Sequence, residues 1–562
     1  AGDQARLAYA HEEAVDYYRR ALALLEETEA YDRAAQTQMK LGLTYDSAFD
    51  FVRSRQAYED GFALWQRVGE KEPAVPLQPA PHALRLACPD PVTLDPTLVF
   101  DQPSGIIADQ LFAGLVAHTP DLGIVPDLAR SWEVSHGGRQ YLFHLRDDIV
   151  WSDGVQMTAY DVEYAWKRAL DPATASRNAN LLYDVRGAKA FHQGIIDDRD
   201  AVGVRAKEDA VLVVELEQPA GYFLHLLAMH VTFPVPRHVV ERRGAAWADP
   251  ATIVTNGPFR LASWQRGESM LLVRYPHYHG RVGGNLHQVA LSLGPVANTA
   301  DISRIIQRYE AGCLDTVRPL LAAVEQQDRI RHKYAGEYVS RPAASTSYLG
   351  FPVGQAPFDD PRLRRAFAHA TDRKALPDVR LGGWASPALG GFVPPGIPGH
   401  VPDIALPYNP GRARRLLAEV GYPGGEGFPP VEWLSLLRSQ AQAENLQAQW
   451  RETLGLETQW RVIPWHDFLD ILGTDPPAPF LLDWIPDWPD PDNYLRIAIL
   501  LRAPSWSHST YLALVDEARR AMDQNKRLRL YAHAERILAE EVPILPLTYE
   551  RRHMLLKPWV KR

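Results

Sequence analysis

The sequence predicts a mixed α/β protein preceded by an all-α segment, and three observations support this prediction. Residues 1–66 repeat at an offset of forty, with apolar positions at helical spacing. A proline-rich stretch follows at 69–81 and is typical of a semi-rigid linker. From His82 onward, short apolar runs of strand length alternate with helical stretches. We therefore expect helical repeats, a linker and an α/β body.

Composition excludes several classes of protein. The 562 residues, 46% of them hydrophobic, suffice for roughly three or four domains with real cores. The net charge of −9 is spread without a basic stripe, so no nucleic acid partner is expected, and no apolar run approaches the ~20 residues that span a bilayer. Cys88 and Cys313 are too few for a disulfide framework or a zinc site and are expected to be buried or half-buried thiols.

Small and aromatic residues recur in register within the helical segment, residues 1–68. Gly2 matches Gly42, and Tyr18 matches Tyr58. The second copy carries the pattern Leu41, Gly42, Tyr45, Tyr58, Gly61 and Leu64. This pattern resembles the tetratricopeptide repeat, which implies close helix packing and a possible protein partner on the repeats. The first copy is expected to be truncated at its start, and an ordinary amphipathic helical hairpin is the alternative.

The body contains clear local signals. Its predicted strands are Ala83–Ala87, Tyr141–Leu145, Val211–Leu216 and Met270–Val273, and Ala159–Leu170 is a predicted helix. Thr158 and Asp161 form a predicted capping box, and Asp359-Asp360-Pro361 predicts a helix start. Asn256-Gly257-Pro258 predicts a turn. These motifs have structural explanations before catalytic ones.

The stretch Trp484 to Leu495 combines carboxylates and aromatic residues with three prolines. Proline fixes φ and removes a backbone donor, so we predict an ordered loop here rather than a helix interior or a central strand. Such a loop is suited to hold a fixed anionic site beside apolar surface.

Several segments in order resemble the family 5 extracellular solute-binding proteins, the peptide and nickel receptors of ABC importers. The resemblance runs from about His82 to Arg562 and is carried by Thr93–Pro96, Asp109–Leu115, Pro126–Ala129, Tyr141–Gly154, Thr255–Leu261, Tyr309–Gly312, Pro357–Phe367, Ala539–Leu547 and Lys557–Val560. It implies a periplasmic-binding-protein-like type II fold, in which two lobes close on a ligand about a hinge. It also implies an extra subdomain.

Domain boundaries follow from the same resemblance. Residues 1–68 are the helical repeats and 69–81 the linker. Lobe I is expected to combine 82–116, 225–290 and 549–562, with a subdomain at 117–224 on its side, and lobe II is expected at 291–548.

The resemblance also implies a ligand site. In the family, a carboxylate at the position of Asp487 receives the α-amino group of a bound peptide. Backbone groups at Asp483, Trp484 and Ile485 would hydrogen-bond the extended peptide. A facing loop would contribute Ser104 and Gly105, and Asn256 would lie at the hinge side of the cleft. Asp483 stands where glycine is usual and Pro486 removes a donor, so this chain departs from the family pattern beside its anchor.

Other chemistry fits the sequence less well. A calcium loop starting at Asp487 would need glycine at its sixth and glutamate at its twelfth residue, where Asp492 and Ala498 stand. His277 and His279 lack a third metal ligand at useful spacing. No hydrolase, nucleotide-binding or metalloprotease motif occurs. We predict no cofactor, no metal and no enzymatic activity, although a paired-carboxylate glycosidase is not excluded by composition.

Two functions follow from these expectations. The first is capture of a small ligand, most readily an oligopeptide or another amine-bearing solute, for ABC-type import through a partner permease. That function implies an extracellular or periplasmic location. The alternative is a cytoplasmic ligand-sensing domain of a regulatory protein, because helical repeats precede the body and no signal peptide is present at Ala1.

Overall fold

The computed structural model describes residues 1–8, 10–68, 83–280, 285–294, 299–318, 330, 332–379, 385–436, 439–464, 467–468, 471 and 476–560. The linker predicted at 69–81 lies outside these ranges. The chain forms two compact units. The first comprises Ala1–Val296, Gly312–Asp315 and Arg520–Asn525, and the second comprises Ala297–Ala311, Thr316–Arg519 and Lys526–Arg562. Within the described ranges, no helix combines the length and apolar character needed to cross a membrane.

The helices and strands have the following bounds in the described part of the chain. The α-helices are Gly2–Leu7, His11–Glu27, Tyr31–Ser47, Phe51–Val68, Gln102–Leu111, Ala159–Leu170, Ala188–His192, Phe223–Leu226, Arg237–Arg243, Thr299–Glu310, Pro361–Ala370, Leu376–Val379, Pro410–Glu419, Gln440–Leu454, Ile499–Arg502, Ser509–Arg520 and Gln524–Glu541, with a π-helix at Asn493–Ala498. The strands are Ala83–Cys88, Val116–His118, Ile124–Pro126, Ala129–Ser135, Gln140–Leu145, Val204–Glu208, Val211–Glu215, Phe259–Gln265, Ser269–Arg274, Gln288–Leu293, Thr316–Val317, Tyr338–Gly350, Ala385–Pro387, Glu432–Ser435, Gln459–Val462, Phe480–Trp484 and Ile544–Leu556.

The N-terminal helices contain the same packing contact twice, forty residues apart. A Cβ on Gly2 would lie 2.8 Å from Tyr18 Cε1, and a Cβ on Gly42 would lie 2.5 Å from Tyr58 Cδ1. Both distances are too short for a real Cβ, so only glycine lets the next helix bring its tyrosine this close. The offset seen in the sequence therefore corresponds to a repeated helix contact.

The helical segment packs against the rest of the first unit. Tyr58 donates a hydrogen bond from its hydroxyl to the Ile124 carbonyl at 3.2 Å, and its ring centroid lies 5.4 Å from that of Trp132. Arg6 forms an ion pair with Asp121 at 2.5 Å. The helices predicted as a separate domain at 1–68 thus share buried contacts with the body of this unit.

A buried carboxyl lies among these contacts. Asp46 is 6% exposed, and burial raises its pKa to about 8, while the neighbouring Trp132 side chain lowers it by a smaller amount. The carboxyl is therefore mostly protonated at neutral pH.

Two four-stranded sheets form most of the body of the first unit. One has the order Ala83–Cys88, Gln288–Leu293, Ser269–Arg274 and Phe259–Gln265, with its first pair parallel and the others antiparallel. The other is antiparallel throughout, in the order Ala129–Ser135, Gln140–Leu145, Val211–Glu215 and Val204–Glu208. The strands predicted near 83, 141, 211 and 270 are all present.

The second unit is built on one larger sheet. Its order is Thr316–Val317, Ile544–Leu556, Tyr338–Gly350, Phe480–Trp484, Glu432–Ser435 and Gln459–Val462, and Ala385–Pro387 also pairs with Ile544–Leu556. The prediction that 549–562 belongs to lobe I is corrected for the described residues of that segment. Strand Ile544–Leu556 pairs along its length with Tyr338–Gly350, which places it inside the second unit.

Aromatic side chains fill the core of the second unit. Phe351, Phe358, Phe367, Trp433 and Trp450 are all buried in one cluster. The ring centroids of Phe358 and Trp433 lie 5.7 Å apart in an edge-on arrangement, and those of Trp433 and Trp450 lie 4.8 Å apart. Such pairs add to the free energy gained by burying their area.

The predicted caps and thiols can be compared with the structure directly. The Asp161 carboxylate accepts from the Thr158 N–H at 2.9 Å, and the Asp360 carboxylate accepts from the Arg362 N–H at 2.8 Å. Both helix starts are confirmed. Cys88 is buried, but Cys313 is exposed, which corrects the expectation of two buried or half-buried thiols.

Candidate functional site

The segment singled out in the sequence leaves the middle of the larger sheet. Strand Phe480–Trp484 pairs antiparallel with Tyr338–Gly350, with Asp483 opposite Ser347, and parallel with Glu432–Ser435. Phe480, Leu481 and Leu482 are buried. Residues 483–487 therefore lie at the C-terminal end of a strand that the core of the sheet holds in place.

The predicted loop is shorter than the sequence indicated. Trp484 is the last residue of a central strand, and the helical backbone resumes at Pro491. Pro486 and Pro489 lie in the connection, where neither removes a ladder hydrogen bond, and Pro491 stands at a helix start, where its missing N–H is not needed. The loop itself is 485–490.

Two buried ion pairs fix the far end of this loop. The Asp490 carboxylate binds both guanidinium nitrogens of Arg527, with 2.8 Å between Oδ2 and Nη1. Asp492 binds Arg496 one helical turn later, at 2.9 Å between Oδ1 and Nε, and accepts from the Tyr531 hydroxyl at 3.0 Å. These acids hold the backbone and are not free to meet a ligand.

Trp484 ties the two ends of the loop together. Its indole Nε1 donates to Asn493 Oδ1 at 3.0 Å, and the indole is 6% exposed. The Arg502 guanidinium carbon lies 5.6 Å from the centroid of the same ring. The loop is therefore closed by a hydrogen bond and flanked by a cation stacked on an aromatic face.

Asp487 is the acid of this loop that remains exposed. Partial desolvation raises the pKa of its carboxyl, while the Asn493 side chain and the Arg502 charge act in the opposite direction. Ile485 beside it is 72% exposed. An accessible carboxylate next to an exposed apolar side chain is suited to bind an ammonium group on an amphipathic molecule.

Asp483 lies in a different environment. It is half-buried in the strand. Burial raises the pKa of the nearby Tyr348 hydroxyl, the charge of Asp483 raises it further, and the charge of Arg502 lowers it. Tyr348 is fully buried. Asp483 therefore belongs to a mixed-charge cluster under the loop.

Ser104 and Gly105 lie in the first turn of a helix, not in a loop, because Gln102–Leu111 is helical from its start. Ser104 is fully buried, and its hydroxyl donates to Asp101 at 2.7 Å and accepts from the Val92 N–H at 2.9 Å. The Gly105 N–H donates to the Asp101 carbonyl. The predicted facing loop is therefore the start of a helix, and the ligand role of Ser104 and Gly105 stays a prediction.

Asn256 also has a structural partner. It is 1% exposed, and its Oδ1 accepts from the Ala113 N–H at 3.1 Å. A Cβ on the adjacent Gly257 would lie 2.5 Å from the Leu111 carbonyl carbon. The predicted turn is present, and the backbone that it brings close belongs to the helix end near Leu111. The ligand role of Asn256 stays a prediction.

The histidines considered as metal ligands are similarly engaged. His279 Nε2 lies 2.8 Å from Asp127 Oδ1, and the His277 ring packs edge-on against Tyr275. Among the described residues, no group of three or more His, Cys, Asp or Glu side chains is arranged to hold a metal ion.

Sequence reasoning missed Asn493 and Arg502. Asn493 lies inside the segment that was singled out, so its position was available, but its contact with Trp484 depends on the π-helical turn at Asn493–Ala498. Arg502 lies in the following helix, and no motif marks it.

Comparisons with known proteins agree with this architecture. The family model "Bacterial extracellular solute-binding proteins, family 5 Middle" matches residues 123–499. The probable deoxycholate-binding periplasmic protein YgiS of Escherichia coli K12 is 31% identical over 490 residues, covering 84% of this chain and 88% of that protein. The periplasmic oligopeptide-binding protein OppA of the same organism is 28% identical over 485 residues, covering 83% and 87%.

A solved structure confirms the fold prediction. The unliganded open form of the periplasmic murein tripeptide-binding protein MppA superposes with a TM-score of 0.73 at 26% identity, covering 86% of this chain and 94% of that one. The type II periplasmic-binding-protein fold predicted from the sequence is therefore correct.

Proposed function

The chain belongs to the bacterial extracellular solute-binding proteins of family 5, and we propose that it captures an oligopeptide or similar amine-bearing solute for ABC-type import. It is accordingly a ligand binder and not an enzyme. The observation that carries the ligand class is Asp487, an exposed acidic residue on a loop that the buried carboxylates of Asp490 and Asp492 fix through ion pairs.

The fixed loop matters because a rigid anchor loses little conformational entropy on binding. Asp490 and Asp492 each form an ion pair with an arginine. Asp487 is therefore the acidic residue of 485–492 that is exposed and can pair with a ligand. An ammonium group enclosed beside Asp487 would be attracted more strongly than in bulk water. Backbone groups at Asp483 to Ile485 would extend this contact along a peptide, although Pro486 offers no N–H.

Arg502 favours a second ligand class at the same place. Its Nε is buried without a hydrogen-bond partner in the described part of the chain, and its guanidinium stacks on Trp484. A carboxylate with a large apolar body, the chemistry of a bile acid, would suit an arginine beside Trp484 and Ile485. One of the relatives is named as deoxycholate-binding, and another as oligopeptide-binding.

The location and partners follow the family. We place the protein outside the cytoplasmic membrane, where an ABC permease would receive its ligand. The alternative of a cytoplasmic sensor is not favoured, since the relatives are periplasmic binding proteins. The repeated contacts of Gly2 with Tyr18 and of Gly42 with Tyr58 support a tetratricopeptide-like N-terminal segment, on which we propose a protein partner.

Calorimetry with matched ligands tests the proposal. We expect an unmodified tripeptide to bind, and the same peptide acetylated at its amino end to bind more weakly. Asp487→Asn should weaken binding of the free-amine peptide by about 2 kcal/mol, the lower end of the range for charge pairs enclosed on binding. The acetylated peptide should not distinguish the variant from the wild type.

The bile acid arm uses deoxycholate and Arg502→Gln. Suppose that deoxycholate binds tightly, that Arg502→Gln weakens this binding, and that no peptide binds. These results would assign the site to an anionic ligand rather than an amine-bearing one. If neither ligand class binds, the anchor assignment at Asp487 is wrong.

A further inference from the structure

A buried interface joins the helical segment to the body of the first unit. Leu43 lies against the tight turn at 119–123, because a Cβ on Gly123 would lie 2.7 Å from Leu43 Cδ1. Asp121 of the same turn forms the ion pair with Arg6. Arg6 and Leu43 belong to different helices, so one turn of the body is seated on both helices.

Helix Tyr31–Ser47 is enclosed on all sides near its end. The six consecutive residues Leu41–Asp46 are all buried. A helix that packs on one side only buries one face, whereas six consecutive residues point in every direction around the axis. The helical neighbours of this helix cover one side, and the body of the unit covers the other.

Side chains of helix Phe51–Val68 extend the interface. Glu59 Oε1 accepts from Ser131 Oγ at 2.6 Å, and Arg55 pairs with Glu133 at 3.3 Å. The helical segment is therefore docked on the body through apolar, hydrogen-bonded and ionic contacts, each of which lies within the first unit.

Asp46 lies inside this interface, between tyrosines that belong to its two sides. Burial raises the pKa of the Tyr58 and Tyr141 hydroxyls, and the nearby Asp46 charge raises each of them further. Tyr58 belongs to the helical segment and Tyr141 to strand Gln140–Leu145 of the body. Asp46 Oδ1 is buried and has no hydrogen-bond partner among the described residues.

Burial, and not a neighbouring cation, determines the protonation of Asp46 within the described part of the chain. It raises the pKa to about 8, and the Trp132 side chain lowers it by a smaller amount. Asp184, the other acid that acts on Tyr141, accepts from the Tyr222 hydroxyl. The charged groups on the surrounding elements are engaged with other partners: Arg6 with Asp121, Arg19 with the Tyr45 hydroxyl, Lys40 with Asp3, Arg53 with Asp50, Arg55 and His144 with Glu133, and Arg130 with Glu59.

We propose that docking of the helical segment on the body is a pH-dependent switch, in which the segment stays docked while Asp46 is protonated and undocks more readily when Asp46 is ionised. Undocking would expose the carboxyl to water, where its pKa returns towards the usual 3.8. Between pH 5 and pH 7 the docked state therefore holds one proton more than the undocked state, and the undocked fraction rises about tenfold per pH unit. The proposal depends neither on the ligand bound at Asp487 nor on a partner of the helical segment.

Thiol labelling of the full chain with iodoacetamide, analysed by peptide mass spectrometry, tests this switch. Leu43→Cys and Ser131→Cys place one thiol on each side of the interface, where both parent residues are buried. The exposed Cys313 is replaced by serine in both variants. The labelling rate is divided by that of the urea-unfolded chain at the same pH, which corrects for thiol ionisation. This ratio should rise about tenfold per pH unit from pH 5 to pH 7 and level off above about pH 8.

Two substitutions identify the group that titrates. Asp46→Asn, added to either thiol variant, should give a ratio that does not change with pH. Asp16→Asn, which removes an exposed acid of the same segment, should leave the pH dependence intact. A flat ratio in the parent variants, or an unchanged slope with Asp46→Asn, would overturn the proposal. The use of two thiols keeps the test valid if one variant fails to fold.

Native Cys88 separates undocking from unfolding of the whole unit. It is buried in strand Ala83–Cys88 of the same unit, and it is labelled in the same experiment. Undocking should expose the introduced thiol at least tenfold faster than Cys88 at pH 7. Equal rates for Cys88 and both introduced thiols would show that the unit opens as a whole, and would overturn the proposal.

Discussion

The Asp490 carboxylate and the Arg527 guanidinium form a fully buried ion pair, although 37 residues separate them in the chain. The Arg527 side chain is 1% exposed and that of Asp490 is 4% exposed. The pair links the end of the loop 485–490 to helix Gln524–Glu541. The position of Asp487 therefore depends on a helix that lies outside the loop in the sequence.

Arg527→Met should lower the free energy of unfolding of the second unit by about 3–5 kcal/mol, because it leaves the Asp490 charge buried and unpaired. Urea unfolding followed by tryptophan fluorescence measures this. Arg451→Met, which removes the exposed pair with Glu457, should lower the free energy of unfolding far less, because solvent screens this pair. Equal effects of the two substitutions would show that burial does not determine how much the Asp490–Arg527 pair contributes to stability.

Binding at Asp487 should depend on pH. Only the ionised carboxylate attracts an ammonium group, and desolvation raises the pKa of this carboxyl above its usual value. Affinity for a free-amine peptide should therefore fall as pH is lowered from 7 towards 4, beginning at a higher pH than for an ordinary aspartate. Titration calorimetry across this range should show the fall in the wild type and a flat profile in Asp487→Asn.

Gly42→Ala should destabilise the helical segment even though alanine favours a helix. The added Cβ would meet the Tyr58 ring at 2.5 Å, and we expect a net loss of about 1–3 kcal/mol from overpacking. Gly61→Ala is the matched control, since its Cβ would meet the flexible end of Met39 at 3.0 Å. Thermal unfolding should show a lower midpoint for the first variant and little or no decrease for the second.

Asp46 should make the stability of the first unit depend on pH. Burial raises its pKa to about 8 from a usual value of 3.8, so the folded state holds this proton more tightly than the unfolded state. The resulting stabilisation is complete below the usual value, declines by up to ~1.4 kcal/mol per pH unit as pH rises, and is lost once pH passes about 8.

Asp46→Asn cannot ionise, so its thermal midpoint relative to wild type should rise between pH 5 and pH 9. Asp16→Asn, on the exposed face of the same segment, should follow the wild type at both values. A constant difference between Asp46→Asn and wild type would contradict the assigned burial.

Local signals in the sequence predicted much of the fold. The capping acids Asp161 and Asp360 act over two or three residues, and the Gly2 and Gly42 offset reflects a contact that recurs at a fixed spacing. Such features depend on neighbours in the chain and can be read from one sequence. The family resemblance supplied the type II architecture.

The site was harder to predict because its geometry depends on distant residues. Ser104 and Asn256 are polar residues near turns, but their partners, Val92 and Ala113, become neighbours only in the folded chain. The same holds for the contact of Arg502 with Trp484. Sequence patterns identify residue types suited to a ligand without showing which of them the protein itself has already satisfied.

Strand Ile544–Leu556 has a consequence for synthesis. It pairs with Tyr338–Gly350, so the chain must extend by roughly 200 residues after the first partner before the second appears, a separation that slows folding. Synthesis proceeds at about 5–20 residues per second, so strand Ile544–Leu556 is made roughly 10–40 s after Tyr338–Gly350. During that time one edge of Tyr338–Gly350 has no strand to pair with. The second unit therefore completes its sheet last, and until then it presents an unpaired strand to chaperones and to other nascent chains.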